Sequence, residues 1–301
     1  MSVINRFLSD VNLDRVRNDL KFLIRYLDHP KLRGEIALEI RSPNVLTLYD
    51  RGNRLAKIEV QSSGNYRIAL HQKFACGTPL SDSNTFPVKS IKGQYADYIV
   101  TAAQIHSFLQ LKHLKALRSR IKKVNYKEEL HVAQMIASDT NRLGSLLVID
   151  REIGHRSKGH RPVGNGGRFL DLLALQKKNN GRYRFLAIEV KLGNSPELDE
   201  ATCYRQQKRS AVKQINEYVS GIESHIADYI TCYRNNVEQK IALGIIGGWS
   251  QAPDIVPEVK GMLAIAGYTG IAAPYVRDIR RDHPQLLIQQ IDYRLRVKGP
   301  Q

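Results

Sequence analysis

The sequence predicts an α/β protein whose C-terminal part, residues 125–301, is a three-layer domain around a mixed central sheet. A smaller α+β module at residues 1–100 precedes it, joined by a basic connecting helix at residues 101–124. Three observations predict this. Short β-rich runs separated by turn residues crowd the first hundred positions. A stretch with helical apolar spacing and many cations follows. Beyond it, helical and strand-like patterns alternate, the order expected when helices pack against a sheet.

In the first module, Phe7, Val11, Leu13, Val16, Leu20, Leu23, Ile24 and Leu27 recur at near-helical spacing until His29-Pro30 stops them. A β-meander is expected next, with strands Gly34 to Arg41, Val45 to Tyr49, Leu55 to Gln61 and Tyr66 to Gln72. Turn residues such as Arg51-Gly52-Asn53 separate them. Ala75 to Gly93, with its prolines, glycines and serines, reads as a loop. One long helix, Ala102 to Lys123, buries Ile105, Phe108, Leu109, Leu111, Leu114, Leu117 and Ile121. The remainder reads as helix Tyr126 to Ser138, strand Ser145 to Ile153, a glycine-rich loop, strand Phe169 to Leu175 and strand Arg184 to Lys191. Helix Gln206 to Ile222, strand Ile241 to Ile246 and helix Glu258 to Ala266 complete the pattern.

Composition narrows the partners. Hydrophobic residues make up 42% of the 301 positions, ordinary for a globular chain, and no apolar run approaches a bilayer span. The expectation is a cytoplasmic protein with no membrane partner. Cys76, Cys203 and Cys232 stand at long spacings that write neither a disulfide framework nor a four-ligand zinc site. Forty-six Lys and Arg against 29 Asp and Glu give a formal +17, which favours a polyanionic partner because each neutralised phosphate releases counterions. The cations are clustered: Lys112, Lys115, Arg118, Arg120, Lys122 and Lys123 form one acid-free group, and Arg205, Lys208, Arg209 and Lys213 another.

Chemistry concentrates in one hairpin. Asn179-Asn180-Gly181 is a three-residue turn signal with glycine at the left-handed position. If those residues form the loop, opposed positions have numbers summing to 360, which sets Asp171 across from Glu189. Lys191 lies two residues further on the same pleat face. Both flanking strands are apolar on both faces, so charges there cost several kcal/mol each, as an order of magnitude, unless paired or metal-bound. A buried ion pair between Lys191 and Asp171 is one compensation. The other is a hard divalent cation, Mg²⁺ or Mn²⁺, held by Asp171 and Glu189 with the main-chain carbonyl of Val190 as a neutral ligand.

At these residues, Leu170-Asp171 followed by Glu189-Val190-Lys191, the sequence resembles the PD-(D/E)xK nuclease superfamily without its nominal proline. The resemblance covers about Tyr126 to Trp249. It implies a restriction-endonuclease-like core, Mg²⁺- or Mn²⁺-dependent phosphodiester hydrolysis, and Lys191 as the residue that orients water or balances phosphate charge. It further implies a glutamate from the preceding helix, where Glu129 lies on the apolar arc and Glu128 at its edge. Gln214-Ile215-Asn216-Glu217-Tyr218 matches the Gln-x-x-x-Tyr pattern of the RecB-like branch, which assigns Gln214 and Tyr218 to the site. DNA is favoured over RNA, in restriction, repair or phage defence, and a homodimer would let the enzyme cut both strands.

The loop before Phe169 carries Arg156, Lys158, Arg161 and Arg168 among glycines that permit close backbone approach, and reads as a substrate-contacting segment. His155 and His160 have no third soft ligand nearby and read as solvated or phosphate-facing. The rival to a nuclease is a non-catalytic nucleic-acid-binding protein on the same scaffold.

Overall fold

The computed structural model describes residues 4–29, 32, 34–80, 85–124, 127–140, 145–154, 169–267 and 270–291. It is a mixed α/β fold with one antiparallel and one mixed sheet. The chain opens with α1 (Asp10–Asp19) and α2 (Lys21–Leu27), two helices where one was expected, with Leu20 leaving helical geometry between them. Of the expected stripe, Val16, Leu20 and Leu23 are fully buried, whereas Val11 is exposed in the first turn of α1. Strands β1 (Ile36–Ser42), β2 (Val45–Asp50), β3 (Asn53–Val60) and β4 (Tyr66–His71) form the expected meander, and a single turn, α3 (Gln72–Ala75), follows.

The expected loop from Ala75 to Gly93 contains β5 (Val88–Lys92), which pairs with β6 (Tyr95–Val100) to complete a six-stranded sheet in the order β1-β2-β3-β4-β6-β5. Strand β5 is an edge strand interrupted by a register shift between Val88 and Ser90, and its residues are mostly exposed. It therefore lacks the alternation that marks a strand buried on one face. The basic connecting segment is likewise two helices, α4 (Ala102–Phe108) and α5 (Leu111–Val124). A capping box between Thr101 and Gln104 opens the first.

The second half runs through α6 (Glu128–Thr140), β7 (Leu146–Gly154), β8 (Phe169–Lys177) and β9 (Tyr183–Leu192), then a 3₁₀ turn at Pro196–Leu198 and helix α7 (Glu200–Arg205). Helices α8 (Ala211–Glu223) and α9 (Ile226–Leu243), strand β10 (Ile255–Ala266), helix α10 (Ala272–Asp282) and strand β11 (Leu287–Ile291) complete it. Two expectations are overturned here. Ile241 to Ile246 is not a strand: α9 ends within it, where Gly244 takes φ 77° and the Ile245 N–H returns 2.9 Å to the Lys240 carbonyl. Glu258 to Ala266 is not a helix but most of β10, which lies between two parallel neighbours. A strand buried on both faces reads as a continuous apolar run, and Met262, Leu263 and Ala264 imitate a helix.

Packing divides the chain into two units, residues 1–143 with 228–253, and residues 144–227 with 254–301. Most of α9 belongs to the first. Gln239 makes two bonds to the backbone of Leu8, at 2.8 and 2.7 Å, Asn236 donates to the Arg6 carbonyl at 3.1 Å, and Lys240 forms a buried ion pair with Glu39. The second unit holds a five-stranded sheet in the order β11-β10-β9-β8-β7. Strands β7, β8 and β9 pair antiparallel, whereas β9, β10 and β11 run parallel. Helices α8 and α10 close a core of Val212, Ile215, Leu263, Ile265, Val276 and Ile279. Among the described residues no helix is long and apolar enough to cross a membrane.

Candidate active site

The turn between β8 and β9 sets the register. Lys178 and Arg182 close it through a 2.8 Å backbone bond, Gly181 adopts φ 80°, and the pairs from Lys177–Tyr183 to Leu172–Ile188 follow the predicted sum of 360. Regular pairing ends at Leu172, and beyond it the Asp171 side chain takes over: its Oδ2 accepts the Val190 N–H at 2.8 Å. Asp171 is half-buried, while Glu189 and Lys191 are 2% and 6% exposed.

Strand β9 continues in parallel register with β10, pairing Ala187 with Gly261, Glu189 with Leu263 and Lys191 with Ile265. Leu263 and Ile265 pack against Val212 and Ile215 of α8, and parallel partners share a pleat face, so Glu189 and Lys191 lie on the face that α8 covers. Gly261 lets the helix come close: a Cβ there would stand 2.3 Å from Ile215 Cγ2. Ser210 starts α8 by accepting the Lys213 N–H at 3.1 Å.

Helix α8 and the segment after β9 then close on the lysine. Lys191 Nζ lies 2.8 Å from Glu189 Oε1 and 2.6 Å from Glu197 Oε2. Gln214 Nε2 donates to the same Glu197 oxygen at 3.0 Å. Burial pushes the Glu197 carboxyl up, but the hydrogen bond and charge of Lys191, the Gln214 amide and the Arg209 charge outweigh it and hold its pKa below the ordinary value. Tyr218 is buried on the same helix. Burial first, then the negative charges of Glu189 and Asp171, raise its phenol pKa against the opposing Arg209. Arg209 is itself ion-paired with Glu217.

Five of the expected residues, Asp171, Glu189, Lys191, Gln214 and Tyr218, thus belong to one linked group in the second unit. Glu129 is half-buried on α6, which packs in the first unit. Glu197 was not anticipated. Its signal was present: Ser195-Pro196-Glu197 opens a turn just after a buried lysine that needs counter-charge, and Ser195 Oγ caps that turn through the Glu197 N–H.

The cations expected to meet phosphate separate into distinct sets. Lys112, Lys115, Lys123, Arg205, Lys208 and Lys213 are exposed. Arg118 is not available to a ligand: it is buried, with Nε 2.6 Å from Asp50 Oδ1 and a second bond to Glu35. Arg120 is half-buried, and Arg209 is turned toward Glu217. Arg156, Lys158, Arg161 and Arg168, with His155 and His160, lie outside the described residues, as does the side chain of Lys122.

Asp171, Glu189, Glu197 and Glu217 against Lys191 and Arg209 leave a formal −2 in a chain of +17. Among the described residues no group of three or more His, Cys, Asp and Glu is placed to hold a metal. Hard oxygen donors here include the carboxylates of Asp171, which accepts the Val190 N–H, and of Glu189. No family model, curated protein or solved structure matches this chain.

Proposed function

We propose that the second unit is a restriction-endonuclease-like domain of the PD-(D/E)xK kind and that the protein is a metal-dependent nuclease, acting on DNA in preference to RNA. The observation that carries the reading is the linked group at the end of the β8–β9 hairpin, where a buried lysine is fixed between Glu189 and Glu197 beside the Asp171 carboxylate. A surplus of negative charge in an otherwise basic protein suits a divalent cation. A set of two carboxylates and a carbonyl suits Mg²⁺, which keeps several waters and takes further oxygens from a substrate phosphate.

Asp171 and Glu189, with the Val190 carbonyl, are the residues that would hold Mg²⁺ or Mn²⁺. The ion would supply Lewis-acid stabilisation of the phosphate and a more acidic water. The chain's own groups do the positioning. Glu189 and Glu197 pair with Lys191, and Gln214 holds Glu197 in turn, fixing the ammonium group where charge develops during in-line attack. Tyr218 walls the site, and its raised pKa keeps the phenol a neutral hydrogen-bond donor. Exposed lysines on α5 and exposed cations around α7 and α8 suit a phosphate backbone.

The test is cleavage of single-stranded DNA, duplex DNA and RNA with Mg²⁺ and with Mn²⁺. The wild type is expected to cut, and Asp171→Ala and Lys191→Ala to lose cleavage while retaining binding. A wild type that binds these polymers but cuts none with either metal leaves the non-catalytic scaffold as the better reading.

A further inference from the structure

Among the described residues most aromatic side chains are buried or half-buried, as their apolar area requires. Among the described residues two aromatic side chains are exposed, Phe169 at 50% and Tyr204 at 86%. Both are in the second unit. Phe169 lies two residues before Asp171 on β8 and so on the same pleat face, and its partner on β7 is Gly154, which lays no side chain across the ring. Tyr204 projects from α7, the helix that follows the Glu197 turn. The adjacent Cys203 packs back onto that turn, its Sγ 3.5 Å from the Pro196 carbonyl.

In the sequence following Tyr204, Arg205, Lys208 and Lys213 are exposed, while Arg209 is ion-paired with Glu217. Nucleobases in a duplex already stack on one another and offer no faces to a protein. Exposed rings set among exposed cations are the combination that holds a single strand, ring against base and cation against phosphate.

We infer that Phe169 and Tyr204 are base-stacking residues that fit this site to single-stranded DNA. The inference rests on the nuclease reading for its placement, but its test does not need cleavage. A single strand carrying 2-aminopurine is titrated in EDTA with the wild type and with Phe169→Ala, Tyr204→Ala, Phe169→Trp and Tyr204→Trp, alongside an unlabelled duplex.

The wild type is expected to quench the probe on binding. Each alanine variant should weaken single-strand binding about ten-fold, within the range measured for base–aromatic stacking, and lose part of the quench. Duplex binding should change by less than about two-fold, and each tryptophan variant should restore both signals. Equal losses on single strand and duplex, or no loss on either, would overturn the proposal. So would a wild type that binds only duplex. Quenching by a wild type that cuts nothing would sink the nuclease reading and leave stacking in place. Cleavage of single strands unchanged in both alanine variants would do the reverse.

Discussion

Gly261→Ala is the sharpest perturbation of this site, because it adds one methyl group and changes no charge. The new Cβ would lie 2.3 Å from Ile215 Cγ2, 3.0 Å from Leu286 Cδ1 and 3.4 Å from Val219 Cγ2. Strand β10 is held on both sides by β9 and β11, so the helix is what yields. Restoring ordinary contact with Ile215 requires α8 to lift by about 1 Å, and such overpacking costs about 1–3 kcal/mol. Gln214 and Tyr218 move with Ile215. If they position the chemistry as proposed, a displacement of about 1 Å lowers cleavage by about 100-fold. Urea unfolding of Gly261→Ala, Ile215→Ala and the double variant reads the packing independently of activity. The alanine at 215 removes the clashing methyl group, so the double variant should lose at least 1 kcal/mol less than the two single losses together, an order-of-magnitude coupling for residues in contact. Losses that add within about 0.5 kcal/mol would refute the close approach of α8 to the sheet.

Three further outcomes are expected. The depressed carboxyl of Glu197 is charged in both folded and unfolded chains above its ordinary value of 4.5, so what it contributes is fully present there and is lost as pH falls through the lower folded value. The stability difference between wild type and Glu197→Gln should therefore be flat from pH 7 to pH 5 and shrink only below about 4.5; a difference that varies between pH 7 and 5 would contradict the assignment. On α5, Arg118→Met should destabilise the first unit by about 3–5 kcal/mol in denaturant titrations by stranding Asp50. By contrast, the Lys112→Ala, Lys115→Ala double variant should leave stability alone and reduce the salt slope of DNA binding by about 2.

The hairpin was legible because its turn is spelled in sequence: Asn179-Asn180-Gly181 fixes the register as far as Leu172–Ile188, one step short of Asp171 and Glu189, where a side-chain bond from Val190 to Asp171 replaces the ladder. Lys191, Gln214 and Tyr218 were placed on the right elements for the same reason, that strand and helix periods are local. Glu197 escaped because the Ser195-Pro196-Glu197 signal marks a turn near a buried lysine, whereas the pairing itself depends on how that turn folds back in three dimensions. Arg118 misled because sequence shows a cation among cations, whereas its partners Asp50 and Glu35 lie more than sixty positions away. Strand β10 failed by composition, since Met262, Leu263, Ala264 and Ala266 favour helix locally and only parallel neighbours on both sides override them.

The tie between α9 and the N-terminal segment bears on how the chain is made. The first unit lacks residues 228–253 until long after its first 143 residues have been synthesised. At about 5–20 residues per second, the intervening stretch takes roughly 5–20 s to emerge. Throughout that interval Leu8 and Glu39 wait for Gln239 and Lys240. The second unit is no earlier, because β9 has no β10 until the ribosome passes residue 254. Neither unit thus closes until residues beyond 227 have emerged, and the hairpin that carries the site spends that time with one strand edge open.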